Sequence, residues 1–180
     1  RIELAQRAGG AVAREEYQNQ LLDAGITSNI GGIYLLRGRQ NHDFTVLMDH
    51  FEPDGTSVQS FKGVANDQAR AVFQGKIHVR RSAQKTDANQ SHHALLLSPQ
   101  AEASFKPELE IYADDVRCGH GATSGRLDAK ALLYLRSRGI PEKEARALLV
   151  ASFLNETLSI VSDTRLRDVY AERISQWLSA

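Results

Sequence analysis

Between residues 27 and 116 the apolar positions come in short runs or alternate with polar ones, without the 3.6-residue spacing of a helix. The runs include Gly32-Ile33-Tyr34-Leu35-Leu36, Phe44-Thr45-Val46-Leu47-Met48, Ser57-Val58-Gln59-Ser60-Phe61, the stretch 71–79 and His93-Ala94-Leu95-Leu96-Leu97. Gly, Asp, Asn and Pro punctuate them at Gly31-Gly32, Pro53-Asp54-Gly55, Gly63, Asn66-Asp67 and Ser98-Pro99. The pattern predicts an all-β segment of many short strands.

A sandwich and a parallel solenoid both fit this pattern, and two details favour the solenoid. Small and apolar residues recur in strand after strand (Val64-Ala65, Ala71-Val72, Ala101, Ala103), as a narrow stacked core requires. Hairpin dipeptides between alternating strands are missing, and the one Asp-Gly falls in a longer loop. No hexapeptide period can be phased.

After Gly125 the period becomes helical. Asp128 is placed to cap a helix over 129–138 that Gly139 closes. Pro141 suits the first helical position of a second helix, with Leu148, Leu149, Ser152 and Phe153 on one face. Ser162 or Asp163 is expected to cap a third, whose stripe is Leu166, Val169, Tyr170, Ile174, Trp177 and Leu178. This divides the chain into a β unit over 1–125, expected to be incomplete at its start, and a helical unit over 126–180.

Composition narrows the classes. At 180 residues and 42% hydrophobic the chain can bury a real core. Lys+Arg and Asp+Glu stand at 22 each, which argues against general electrostatic affinity for nucleic acid or anionic membrane. A single cysteine excludes an internal disulfide and suits a reducing cytosol. No run approaches the roughly 20 apolar residues of a membrane span, and no signal peptide is visible. The chain starts at Arg1-Ile2-Glu3 without an initiator methionine and is expected to be a portion of a longer protein.

The chemistry concentrates at Val116-Arg117-Cys118-Gly119-His120-Gly121-Ala122-Thr123. In extended backbone, positions two apart share a face, so Cys118 and His120 can address one ligand. One thiol and one imidazole make half a soft-metal site, and the other ligands must come from elsewhere, as from another chain. The row Glu108, Glu110, Tyr112 and Asp114 is expected to share a face that continues to Cys118 and His120, with Leu109, Ile111 and Ala113 toward the core. Asp114 and Asp115 are neighbours pointing apart, which suits a turn better than a carboxylate dyad. Lys76, His78 and Arg80 form a basic row that reads as solvated or partner-facing. His92-His93 lacks the hexapeptide repeat of an acyltransferase fold, and His42 and His50 read as loop or edge residues. No glycine-rich phosphate loop with a lysine is present, so ATP hydrolysis by this chain is not expected.

Several ordered motifs then resemble a known family. They are Tyr34-Leu35-Leu36-Arg37-Gly38-Arg39-Gln40, Phe61-Lys62-Gly63-Val64, Arg70-Ala71-Val72-Phe73-Gln74-Gly75-Lys76-Ile77, Ala83-Gln84-Lys85-Thr86-Asp87-Ala88 and Leu95-Leu96-Leu97-Ser98. Lys106-Pro107-Glu108-Leu109-Glu110-Ile111, the run 113–123 and Tyr134-Leu135-Arg136-Ser137-Arg138-Gly139-Ile140 follow. From about Leu35 to its end the chain resembles the C-terminal part of the SufB/SufD family of iron–sulfur cluster assembly proteins. The Cys-x-His-Gly-Ala-Thr run is similar to the SufD branch, where SufB reads more like Glu-His-Glu-Ala-Thr. The stretches 41–50 and 92–94 are less typical.

The resemblance implies a right-handed parallel β-helix followed by a small helical domain. It also implies a non-catalytic scaffold in a cytoplasmic complex with SufB and the SufC ATPase, the β-helix pairing with SufB and the helical tail docking SufC. A transient iron–sulfur cluster shared with SufB would form at their interface, with His120 as a metal ligand and Cys118 at the same place; none is expected in the isolated chain. The rival readings are a polysaccharide-active β-helix enzyme and an inert homodimeric β-helix; a homodimer of the isolated chain is compatible with the first reading too.

Overall fold

The computed structural model describes residues 2–7, 10–159, 161 and 163–179, with side chains described from Gly10 onward. Among these residues nine strands come first: β1 Ile2–Arg7, β2 Val12–Leu21, β3 Thr27–Leu36, β4 Asn41–His50, β5 Thr56–Ala65, β6 Arg70–Val79, β7 Asp87–Leu96, β8 Glu102–Ile111 and β9 Arg117–Gly125. Three helices follow, α1 Ala129–Ser137, α2 Glu142–Leu158 and α3 Thr164–Ser179.

Odd strands pair only with odd and even only with even, always parallel, in the orders β1-β3-β5-β7-β9 and β2-β4-β6-β8. The chain therefore alternates between two sheets and climbs one coil per strand pair, as a β-helix does. Thr27 pairs with Thr56, Thr56 with Asp87 and Asp87 with Arg117, so each coil takes 29 to 31 residues on this side. That coil length, with turns of unequal shape, explains why no hexapeptide period can be phased.

Stacking is continued by the turns. Asp54 N–H donates to the Gln84 carbonyl at 2.9 Å, and Gly25 N–H to the Pro53 carbonyl at 3.0 Å. Asp54, Asp67 and Lys85 hold left-handed backbone at φ near 60°, which Asp tolerates and Lys rarely adopts. Lys85 is the turn that its residue type conceals.

The core lies between the sheets. Phe44, Phe61, Phe73 and Phe105 meet there with Tyr34 and His92; His92 is 4.3 Å from Phe73 and 4.5 Å from Phe105 between ring centroids. Gly63 is required here, since a Cβ on it would come within 1.7 Å of Tyr34 Cζ. The aromatic layer thus depends on a missing side chain one strand away.

The helices cover the outer face of the odd-strand sheet, where Ile33, Leu35 and Val64 pack with Val150, Leu154, Leu158 and Ile174. A buried cation pins them: Lys62, only 6% exposed, donates to the Phe153 carbonyl at 2.9 Å and pairs with Glu156. Its Nζ also lies 4.6 Å over the Phe153 ring. Asp128 caps α1 by accepting from Lys130 N–H at 2.8 Å, and Gly139 ends it at φ 87°. Asp163 caps α3 through Arg165 N–H at 2.9 Å, while Ser162 lies outside the described residues. Pro141 precedes the first helical residue of α2 by one.

Two helix faces differ from expectation. In α2 the buried residues are Ala145, Val150, Leu154, Thr157 and Leu158, whereas Leu148 and Ser152 face solvent. In α3 only Ile174 is buried, and Leu166 and Val169 are exposed. The reason is geometric: a helix laid on one sheet face buries the arc in contact, which need not be the whole apolar stripe.

Candidate functional site

Each inward position of β7 has a partner of the same facing on β9: Ala88 with Cys118, Gln90 with His120 and His92 with Ala122. Ala88, Gln90 and His92 are buried because β9 lies over them. Among the described residues no strand of the odd sheet lies over β9, the last of its order. Its inward row therefore emerges at the mouth of the solenoid, with Cys118 half-buried and His120 exposed. A rise of about 3.3 Å per residue sets their Cα atoms about 6.6 Å apart on one face. The expectation that the two share a face is realised.

The acidic row does not join them. β8 ends at Ile111 in the even sheet, the chain bends at Asp114-Asp115, and β9 begins in the other sheet. The bend interrupts the alternation, so Glu108 and Glu110 face outward on the even sheet while Cys118 and His120 face the mouth. Leu109 packs on the core as expected and Ala113 is buried, but Ile111 is exposed.

Glu108 and Glu110 are already engaged. Lys106 pairs with Glu108 at 2.8 Å, and Lys76 pairs with Glu110, which also accepts from Tyr112 Oη at 2.5 Å. The Lys76 ammonium, then the Tyr112 hydroxyl, hold the Glu110 carboxyl down to about 2. Beside them the buried Asp49 carboxylate takes two bonds from Arg80, at 2.9 and 3.1 Å, and lies 3.0 Å from His78 Nδ1. The basic row thus binds successive coils, through ion pairs at Lys76 and Arg80 and the Asp49 contact of His78.

Two histidines, His42 and His50, sit in the interior and not in the loops or edges expected of them, and His92, for which no place was expected, joins them. His42, His50 and His92 all point into the solenoid and are nearly inaccessible. His50 Nε2 lies 2.9 Å from Ser57 Oγ, and burial lowers its basicity, with Asp49 opposing. His92 is pushed down to about 3 by burial, aided by the neighbouring His93. It is therefore a neutral ring inside an aromatic core. Alternation with apolar neighbours was the available signal: His42, Phe44, Val46 and Met48 share a face, as do Gln90, His92 and Ala94.

Chemically, the mouth offers an incomplete donor set. Burial raises the Cys118 thiol above its ordinary range, opposed by a hydrogen bond from the Ala88 backbone, so at neutral pH it rests as the thiol. His120 presents an imidazole to solvent. Among the described residues no three His, Cys, Asp or Glu gather in metal-binding geometry. The pair suits a soft metal whose remaining ligands come from another molecule. The unpaired edge of β9 suits the approach of such a molecule. Gly121, on the outward side of β9, has open space where a side chain would stand.

Comparison with known proteins places residues 3–153 under the family model described as "SUF system FeS cluster assembly, SufBD core domain". "Iron-sulfur cluster assembly protein SufD" of Escherichia coli (strain K12) is 38% identical over 170 residues, 94% of this chain and 40% of that protein. "Protein ABCI7, chloroplastic" of Arabidopsis thaliana is 36% identical over 163 residues, 89% of this chain and 34% of that one. "Iron-sulfur cluster assembly protein SufD" of Bacillus subtilis (strain 168) is 39% identical over 118 residues, 66% of this chain and 27% of that one. The chain spans at most about two fifths of the length of these relatives.

Proposed function

The chain belongs to the SufBD family of iron–sulfur cluster assembly proteins, and from that premise we propose that it is the cluster-bearing end of a non-catalytic SufD-type scaffold subunit. The supporting observation is the inward row of β9, exposed at the solenoid's mouth beside a free strand edge. The β-helix pairs with SufB through this end. The cluster is cargo, assembled transiently between the two chains. His120 supplies one nitrogen ligand, and Cys118 lines the interface, its thiol held protonated until a metal ion or a cationic neighbour stabilises the thiolate. A neutral imidazole binds iron through one nitrogen, and its second nitrogen needs a partner to fix the tautomer.

The helical tail docks the SufC ATPase. Leu133, Tyr134, Leu148, Leu166 and Val169 are all exposed on the three helices, an apolar supply that suits a partner. The working compartment is the cytoplasm; the helices supply no span long and apolar enough to cross a membrane among the described residues.

The test is co-expression with SufB and SufC, reading visible absorbance and iron content of the purified complex. His120→Ala is expected to leave the complex intact and deplete the cluster, with Cys118→Ser doing less. Full cluster content in His120→Ala refutes the ligand assignment, and loss of the complex itself recasts His120 as an interface residue. For the tail, Leu133→Glu with Leu166→Glu should reduce ATPase co-purification. Point changes are preferable to deleting the helices, because the helices cover Ile33, Leu35 and Val64.

A further inference from the structure

The column of inward side chains that ends at His120 is polar for two strands before it reaches the mouth. Ile30, Gln59, Gln90 and His120 hold matching positions on β3, β5, β7 and β9. Gln59 and Gln90 are 0% and 3% exposed, and Gln90 Nε2 donates to Gln59 Oε1 at 2.9 Å. A buried amide is costly unless its hydrogen-bonding groups are matched. Here Gln90 Oε1 and Gln59 Nε2 have no partner among the described residues. Space is kept for the Gln90 amide as well: a Cβ on Gly75, in the facing sheet, would come within 2.2 Å of Gln90 Oε1. A leucine at 90 would bury itself without any of these costs.

We propose that Gln90 is a positioning residue for His120: its Oε1 accepts the N–H of one ring nitrogen, so that the other presents its lone pair at the mouth. This rests on the reading of His120 as the ligand. With Gln90 Nε2 committed to Gln59, the oxygen is the amide atom left for a donor. Strands in a sheet lie about 4.7–4.9 Å apart, so in-register side chains on one face are immediate neighbours. The His120 side chain is exposed and makes no hydrogen bond among the described residues, so its ring can turn to the amide. A neutral imidazole has one N–H and one lone pair, and an acceptor held against the first decides which nitrogen carries the second. Gln59 then acts one step back, by fixing which way the Gln90 amide faces.

The experiment is long-range 1H–15N correlation of the imidazole nitrogens in the 180-residue chain without metal, His120 being assigned by the signals lost in His120→Gln. One dominant His120 tautomer is expected in the unsubstituted chain. In Gln90→Leu and Gln90→Met it should give way to the mixture of a free imidazole, and Gln90→Glu, which keeps the acceptor, should retain it. Circular dichroism checks that each variant folds. A mixed tautomer in the unsubstituted chain overturns the proposal with no variant needed, and so does an unchanged tautomer in a folded Gln90→Met. Neither outcome bears on whether His120 binds iron, which the cluster content of His120→Ala decides separately.

Discussion

His92 and His120 both face inward on adjacent strands of one sheet, yet they behave as different chemical groups. His92 is 1% exposed, ringed by Phe73, Phe105 and Tyr34, and pushed down to about 3. His120 stands open at the mouth. What separates them is a single strand: β9 covers His92, and no further strand among the described residues covers β9. In a solenoid the same inward position is core in one coil and surface in the last, so the end of the stack turns interior chemistry into a site.

The strongest way to break this comparison is to remove core from the covered coil. Phe73→Ala should cost roughly 3–5 kcal/mol by chemical denaturation, since the rigid sheets on either side collapse poorly into the cavity. A loss below about 1 kcal/mol would show that the coil around His92 is not packed core.

The next effect is pH-dependent. His92 folded titrates near 3 against an ordinary value of 6.5, so between those limits the unfolded chain binds a proton that the folded chain refuses. Stability is then full above about pH 6.5 and is lost as pH falls toward 3. His50 is shifted in the same direction. His92→Phe should move the acid transition to lower pH, and an unchanged acid limb would mean that His92 is solvated in the folded chain.

Lys62→Ala sharpens the contrast on the outer face. It removes the side-chain bond to the Phe153 carbonyl and leaves Glu156 without its partner, and should cost about 1–3 kcal/mol. The loss should appear as weakened hydrogen-exchange protection in α2 more than in the strands. Uniform loss across strands and helices would show that Lys62 holds the whole fold and not the helical attachment.

The smallest effect is the most diagnostic. His120→Ala should change the stability of the chain by no more than about 0.5 kcal/mol, as for an exposed position. A cost near that of Phe73→Ala would make His120 part of the core and contradict the open mouth.

Much of the fold was legible because strand alternation and cap chemistry are local. The punctuation at Pro53-Asp54-Gly55 and Asn66-Asp67 falls in turns, and Asp128, Gly139 and Asp163 sit at the helix ends they suggest. Cys118 and His120 share a face because a period of two is a property of any strand. The continuation from Glu110 to His120 failed because a bend at Asp114-Asp115 moves the chain to the other sheet. His42 and His50 were misread because a polar residue type outweighed its alternation with Phe44, Val46 and Met48.

By itself, then, the order of residues determined the strands, the caps, the family motifs and the pairing of Cys118 with His120, all of which depend on neighbours within a few positions. Only the tertiary structure decided that Gln90 lies beneath His120, that Lys62 reaches α2, and that β9 is left uncovered. Those contacts join residues 30 to 94 positions apart, and they arise from the length of a coil and the point where the chain leaves the stack. No local pattern encodes either quantity, because each is set by how whole coils pack upon one another.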